Sequence, residues 1–418
     1  MVPNGWKSVR LNKLSEFVTS GSRDWAQYYS DKGSKFIRMT NLPRDGIYLK
    51  LEDLKFVDVK SDSADGKRTS LQYGDILISI TAELGKIGWV PDNLGEAYIN
   101  QHTALVRPKV SKCDSKYIAY LLSSHTMNHR INRLNDSGAK AGLNLPTIRS
   151  IPLTIPPLPE QRKIAKILST WDKAITTTER LIASSQQQKK SLMQQLLTGK
   201  KRLLNPETGK VFEGDWEEVR LSQLVKVTGG NAFKSEQFAT QGIPLIKISN
   251  IKADYSVNVD SSVFIVEESK YEKFKVKTGD VLIAMSGATT GKVGCYRFND
   301  FSYLNQRVGR FDPKKNKIIK PYLFQLLKLP KVQHDILIDA VGGAQPNISN
   351  KDIERLKVKV PAIGEQQKIA SVLTGADKEI ELLEAKLAHL KEEKKALMQQ
   401  LLTGKRRVKV ETTEEATC

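Results

Sequence analysis

Few positions in this chain have residue types and spacing suited to chemistry. Gly287-Ala-Thr-Thr-Gly-Lys-Val293 has the outline of a nucleotide phosphate loop. It is one residue short, however, and lacks the Ser or Thr after Lys292 that would hold Mg²⁺. His125 and His129 stand four residues apart on a predicted helix. Thr126 follows the first where a zinc-protease helix needs glutamate, and no third ligand is evident, so solvated helix histidines are the plain reading. Cys113, Cys295 and Cys418 are too scattered for a zinc site or a disulfide framework. No catalytic or metal site is therefore expected.

The residue types suit contact with DNA better. Lys86 and Lys292 lie in Gly-Lys-x-Gly turns, where glycine lets backbone approach a phosphate and lysine supplies charge. The plain alternative is a hairpin with a solvated lysine. Asn100-Gln101-His102 and Asn305-Gln306-Arg307 carry amides able to pair with adenine, and Arg307 could pair with guanine. Their alternative role is hydrogen bonding within the fold. Arg38, Asn41, Lys247 and Asn250 complete the candidate set. Lys200-Lys-Arg202 and Lys405-Arg-Arg407 suit phosphate, a partner, or the negative end of a helix.

These candidates sit on short predicted strands or in the turns between them, Arg38 on the polar face of one. Gly5 to Leu14 alternates apolar and polar residues, as does Lys35 to Asn41. Leu71 to Ile80 reads as a turn and a buried strand, Gly88-Trp-Val90 starts another, and Ala97 to Arg107 is a third. Lys116 to Arg133 has helical spacing, and Ile148 to Ile155 returns to short strands. The order then repeats: Asp215 to Leu224 answers Gly5 to Leu14, Leu245 to Asn250 answers Phe36 to Asn41, and Tyr303 to Arg307 answers Tyr98 to His102. Asp65-Gly-Lys-Arg-Thr69 has no clear partner in the second copy.

Each copy ends in a long heptad segment. Ile164, Leu168, Trp171, Ile175, Thr178, Ile182, Ser185, Lys189, Leu192 and Leu196 keep a 4-3 spacing, matched by Ile369 to Leu401. Both close on Leu-Met-Gln-Gln-Leu-Leu-Thr-Gly-Lys, with Gly199 and Gly404 at the cap positions. Glu160 to Thr198 would be a helix of roughly 58 Å. The polar seam positions Thr178, Ser185 and Lys189 correspond to Leu383, Leu390 and Lys394 in the other copy, an asymmetry that would help fix register. The expected architecture is α+β: two mixed α/β domains of one fold, separated by two long antiparallel coiled-coil helices, with an internal pseudo-two-fold repeat. The boundaries are 1–157, 158–204, 205–362, 363–407 and a tail at 408–418.

Composition agrees with a polyanion partner. Lys and Arg number 66 against 46 Asp and Glu, a net charge of +20, and the pI is near 9.6. Such a surplus favours nucleic acid through counterion release. No apolar run approaches the roughly 18 residues of a membrane span, and the N-terminus lacks a signal-peptide core. A cytoplasmic protein without membrane contact is expected.

The Gly-Trp-x-x-Val-x-Leu start, the Gly-Asp-[IV]-Leu-Ile strand, Glu160-Gln-Arg-Lys-Ile-Ala165, Glu365-Gln-Gln-Lys-Ile-Ala370 and the Leu-Leu-Thr-Gly-Lys ends together resemble the DNA-specificity subunit of type I restriction-modification enzymes, over nearly the whole chain. The resemblance implies two target-recognition domains, each reading half of a bipartite duplex DNA site. It also implies helices that act as spacer and dock two modification (methyltransferase) subunits, which recruit the restriction subunits. The chain itself would be non-catalytic, with AdoMet, ATP and Mg²⁺ in its partners. It carries no Asn/Asp-Pro-Pro-Tyr/Phe methyltransferase motif. The competing reading is a coiled-coil scaffold with protein-binding end domains.

Overall fold

A computed structural model describes residues 2–21, 25–135, 142–260, 262–338 and 347–410. Residues 411–418 of the expected tail, Cys418 among them, lie outside the described residues. Two compact units emerge: Met1–Thr178 with Lys386–Cys418, and Glu179–Ala385. Among the described residues no helix is long and apolar enough to cross a membrane.

In the first unit, Lys7–Arg10 pairs antiparallel with Pro152–Ile155. The alternation expected across Gly5 to Leu14 stops at Arg10, where Leu11–Leu14 turns into a short helix that buries both leucines. A four-stranded sheet follows in the order Ser15–Ser20, Thr103–Pro108, Ile76–Ser79, Ile87–Trp89. The Ile76–Ser79 strand is buried along its length, which accounts for its unbroken apolar run. A second sheet orders Tyr29–Ser30, Lys55–Val57, Ser34–Ile37 and Ala97–Ile99, the last pair parallel.

The single helix expected over Lys116 to Arg133 is two, Ser115–Ser123 and His125–Arg133. Ser124 divides them in extended backbone, and its hydroxyl caps the second by accepting from the Met127 N–H. Similarly, the strand expected from Ile148 starts as the helix Leu145–Ser150, capped by Asn144.

The second unit repeats this order, with Glu217–Arg220 on Lys357–Val360 and a sheet of Val225–Gly229, Val308–Pro313, Val281–Ala284 and Val293–Cys295. Its other sheet gains a fifth strand, Lys275–Val276, on Ser302–Leu304. The segment around Asp65, unmatched in sequence, does have a counterpart in place: the helix Ala64–Thr69 corresponds to the 3₁₀ helix Ser269–Phe274.

The long helices run Leu158–Leu196 and Ile363–Leu401. In the first unit, Ile164 and Leu168 from one and Leu401 and Leu402 from the end of the other enter the same core as Leu11, Ile76 and Tyr117. The second unit does likewise with Ile369, Leu373, Leu196 and Leu197. Each unit's core is thus completed by the C-terminal end of one long helix and the N-terminal part of the other, and this explains the leucines of the repeated Leu-Met-Gln-Gln-Leu-Leu segment. Both helices end in a reverse turn: the N–H groups of Lys201 and Arg406 reach back to the carbonyls of Gln195 and Gln400, over glycines at φ +72° and +71°.

Candidate nucleic-acid interface

Two of the candidate turns meet in each unit. The turn Asn100–His102 lies beside the loop after Ile76–Ser79. The Ile80 N–H donates to the His102 carbonyl (3.0 Å), and the Leu143 N–H to that of Ile80 (2.9 Å). The His102 ring is held by Thr81 Oγ1 at Nδ1 (2.8 Å) and Gln101 at Nε2 (3.1 Å). Thr81 also reaches the Met39 sulfur at 4.0 Å, which joins the turn that carries Arg38 and Asn41 to the same strip.

The second unit builds the strip on the same backbone. The Met285 N–H donates to the Arg307 carbonyl, and the Ile348 N–H to that of Met285, both at 2.9 Å. Arg307 is exposed, and its Nη1 reaches Asn347 Oδ1 at 3.4 Å. Ile248, in the position of Met39, lies 3.4 Å from where a Cβ on Gly287 would stand. Equivalent backbone thus presents His102 in one unit and Arg307 in the other.

The remaining candidates divide by their partners. Asn41 is buried; its Oδ1 accepts from the Arg38 N–H (3.0 Å), and its amide donates to the carbonyls of Lys50 and Asp53. Asn250 Oδ1 likewise accepts from the Lys247 N–H, and its amide donates to the Asn258 carbonyl and the Ser262 hydroxyl. Both amides are committed to shaping their loops. Asn100 is buried and its side chain accepts from His102 N–H and Thr103 Oγ1, whereas the Asn305 side chain accepts from the adjacent Gln306 N–H. Gln306 is exposed. Arg38 donates to Asp53 through its carbonyl and carboxylate, while the Lys247 ammonium lies 4.8 Å from the Phe238 ring centre. Lys86 is ion-paired with Glu83, and Lys292 has no acidic partner among the described residues.

Residue types alone did not reveal the ion pairs that bind the helix ends into each unit. Glu160 takes a two-point grip from Arg407, both contacts 2.7 Å, and Glu365 from Arg202 at 2.6 and 2.7 Å. Both glutamates are buried, so fork-to-carboxylate geometry is what makes their charge tolerable. Deeper in, Lys394 pairs with Asp172, which also accepts from the Tyr120 hydroxyl. Burial, then the Asp172 charge, pushes that phenol's pKa up.

At the same place in the second unit, Asp377 meets Lys189, Lys328 and the Gln325 amide. Burial opposes the charge of Asp377, but hydrogen bonds from Lys189 and Gln325 hold its pKa below the ordinary value. The basic residues Arg202 and Arg407 at the helix ends are therefore engaged by carboxylates, and the offset of 205 that relates Glu160 to Glu365 and Arg202 to Arg407 marks the two pairs as copies of one contact.

Residues 3–184 and 213–392 each match the type I restriction modification DNA specificity domain. Over 98% of this chain and 94% of the relative, the sequence is 28% identical to the type I restriction enzyme MjaVIII specificity subunit of Methanocaldococcus jannaschii. It is 23% identical to the EcoBI specificity subunit of Escherichia coli over 71% of this chain and 65% of that one. The fold is similar to the crystal structure of a type I system S subunit from M. genitalium, with a TM-score of 0.63, 16% identity, and coverage of 95% and 96%. It is also similar to a chain from a study of complex assembly in the type I system, with a TM-score of 0.56, 17% identity, and coverage of 97% and 100%.

Proposed function

Since the chain belongs to the type I restriction modification DNA specificity family, we propose that it is the non-catalytic subunit that reads a bipartite duplex DNA target, one domain per half-site. The observation that carries this reading is the paired strip. Two copies of one backbone arrangement present different side chains, His102 against Arg307 and Arg38 against Lys247, at matched positions. A scaffold for two protein partners gains nothing from that divergence at fixed backbone geometry, whereas two different half-sites require it.

Arg307 is exposed, with a 3.4 Å contact from Nη1 to Asn347, and a fork aimed at guanine O6 and N7 discriminates by about 1–3 kcal/mol. Gln306 and Gln101 supply amides of the kind that pair with adenine. The net charge of +20 supplies the sequence-independent attraction. In this reading the long helices form an antiparallel coiled coil that sets half-site spacing and docks two modification subunits. Restriction subunits then join through those. AdoMet serves the modification partners, and ATP and Mg²⁺ serve the restriction partners. If the domains stand at the helix ends, half-sites lie no more than roughly 17 base pairs apart, and one DNA turn of about 10 places both on one face.

The test is to reconstitute methylation with this chain and then exchange residues 1–157 for another domain of the family. Sequencing of methylated sites should show one half of the target changed and the other kept. Change in both halves would sink the one-domain, one-half-site reading.

A further inference from the structure

One cluster of charge in the first unit has no counterpart in the second. Glu83 Oε1 accepts from Arg44 Nη2 at 2.8 Å, and its other oxygen meets the Lys86 ammonium. Lys50 stands close enough to act on Lys86: burial, then the charges of Arg44 and Lys50, lowers the Lys86 pKa. Arg44 and Lys86 therefore share one carboxylate, and Lys50 adds its charge to theirs. Arg44 is 76% exposed and Glu83 43%, with Lys86 at 14% beneath them.

The scaffold under these groups is stiff. Asn41 ties down Lys50 by a bond in each direction, the Lys50 N–H to its carbonyl (2.8 Å) and its amide to the Lys50 carbonyl (3.0 Å). Asn128 and Asn132, from the neighbouring helix, donate to the carbonyls of Gly85 (2.8 Å) and Leu84 (3.3 Å). Ser79 hydroxyl holds the Glu83 carbonyl and accepts from the Lys86 N–H. Ala82, just before Glu83, sits at φ +57°, a left-handed conformation that costs a non-glycine residue about 1 kcal/mol. In the second unit that position is Gly287, also left-handed.

The comparison with the second unit separates ligand from scaffold. The Asn250 bonds to residue 258 reproduce those of Asn41 to residue 50. Gly46 and Tyr255 share the same left-handed turn position. In this register Arg44 becomes Ala253, Lys50 becomes Asn258, and the loop Gly287–Thr290 has no carboxylate where Glu83 stands. Lys86 alone persists, as Lys292. Three of four charged residues disappear together while the backbone stays, so the fold does not need them.

We infer that Arg44, Lys50 and Lys86 form a binding site for a backbone phosphate of duplex DNA, private to the first unit. This rests on the DNA-reading function proposed above. Glu83 holds Arg44 and Lys86 in position without DNA and competes with the phosphate for them. Phosphate contacts orient a protein on the duplex without carrying sequence information, so this site strengthens binding to any duplex and biases which half-site is gripped more firmly.

The experiment measures affinity of the full chain for two duplexes, one carrying the target found by methylation sequencing and one scrambled, across a range of salt. Arg44→Ala and Lys50→Ala should each weaken binding to both duplexes by the same factor, about three- to tenfold, and flatten the slope of log Kd against log salt by about 0.9. Glu83→Gln should tighten binding to both. A weakening confined to the target duplex would make these residues base readers and overturn the site, as would slopes unchanged from wild type. If the wild-type chain binds neither duplex at any salt, the DNA reading fails and takes this site with it.

Discussion

Lys328 offers a sharp test of the electrostatics. In the first unit, at the helix end, Lys394 faces Asp172, with the Tyr120 hydroxyl as the third member. At matched positions in the second unit, Lys189 faces Asp377 and Gln325 replaces Tyr120. Lys328 then adds a second cation where the first unit has Ser123. Lys328 is only 7% exposed, and burial first of all pushes its pKa down to about 8. Against an ordinary 10.5, the penalty for keeping it protonated is on the order of 3 kcal/mol, at about 1.4 kcal/mol per unit.

The rings of Tyr255 and Phe324, 4.9 and 4.7 Å from the ammonium, return part of this, about 0.5–1 kcal/mol each. Lys328→Met keeps the apolar stem and removes the charge, so it should raise stability at pH 7 by about 1–2 kcal/mol. That is a rise of about 2–4 °C in melting temperature per kcal/mol for a unit of this size. The pH dependence fixes the sign. Because the folded pKa lies below the unfolded one, the penalty is complete below pH 8. Wild-type stability therefore rises as pH climbs from about 8 to 10.5, while the Met variant lacks that rise. Thermal melts at pH 7 and pH 10 decide the matter. A variant less stable at pH 7, or an advantage that does not shrink by pH 10, would refute the reasoning.

Two other outcomes are expected. Gly404→Ala should destabilise more than Gly199→Ala, although both glycines share a left-handed φ. A Cβ on Gly404 would stand 2.6 Å from Pro3, while one on Gly199 would meet Trp216 at an ordinary 3.4 Å. Strain of about 1–2 kcal/mol is common to both, so melting temperatures should separate them by the clash alone, and equal losses would count against this packing. Inserting four residues after both Ser184 and Leu382 adds about 6 Å of helix, which should widen the spacer between methylated half-sites by about two base pairs; unchanged spacing would show that the helices are not the ruler.

The repeat, the helix extents and the strand-ending turns were legible because they are local or periodic. Glu160 with Arg407 and Asp172 with Lys394 were not, since partners more than 200 residues apart leave no periodic trace. Lys189 and Lys394 read as polar interruptions of a heptad seam, and their acidic partners Asp377 and Asp172 lie off that seam. Arg38-x-x-Asn41 and Lys247-x-x-Asn250 show the limit of residue type. The same amide that could read adenine here ties a loop, and only its burial distinguishes the two uses.

That distinction explains where recognition can diverge. At 102 and 307 the bonds common to both copies run through backbone: those from Ile80 and Met285 reach carbonyls that any residue supplies, while the side-chain bonds of His102 to Thr81 and Gln101 and of Arg307 to Asn347 differ between the copies. Replacing His by Arg there leaves the sheet, its register and the core untouched. At 41 and 250 the side chain itself closes the loop, so both copies keep asparagine. Recognition can therefore change at the turn with little effect on folding free energy, and a new target half need not wait for a compensating change in the scaffold.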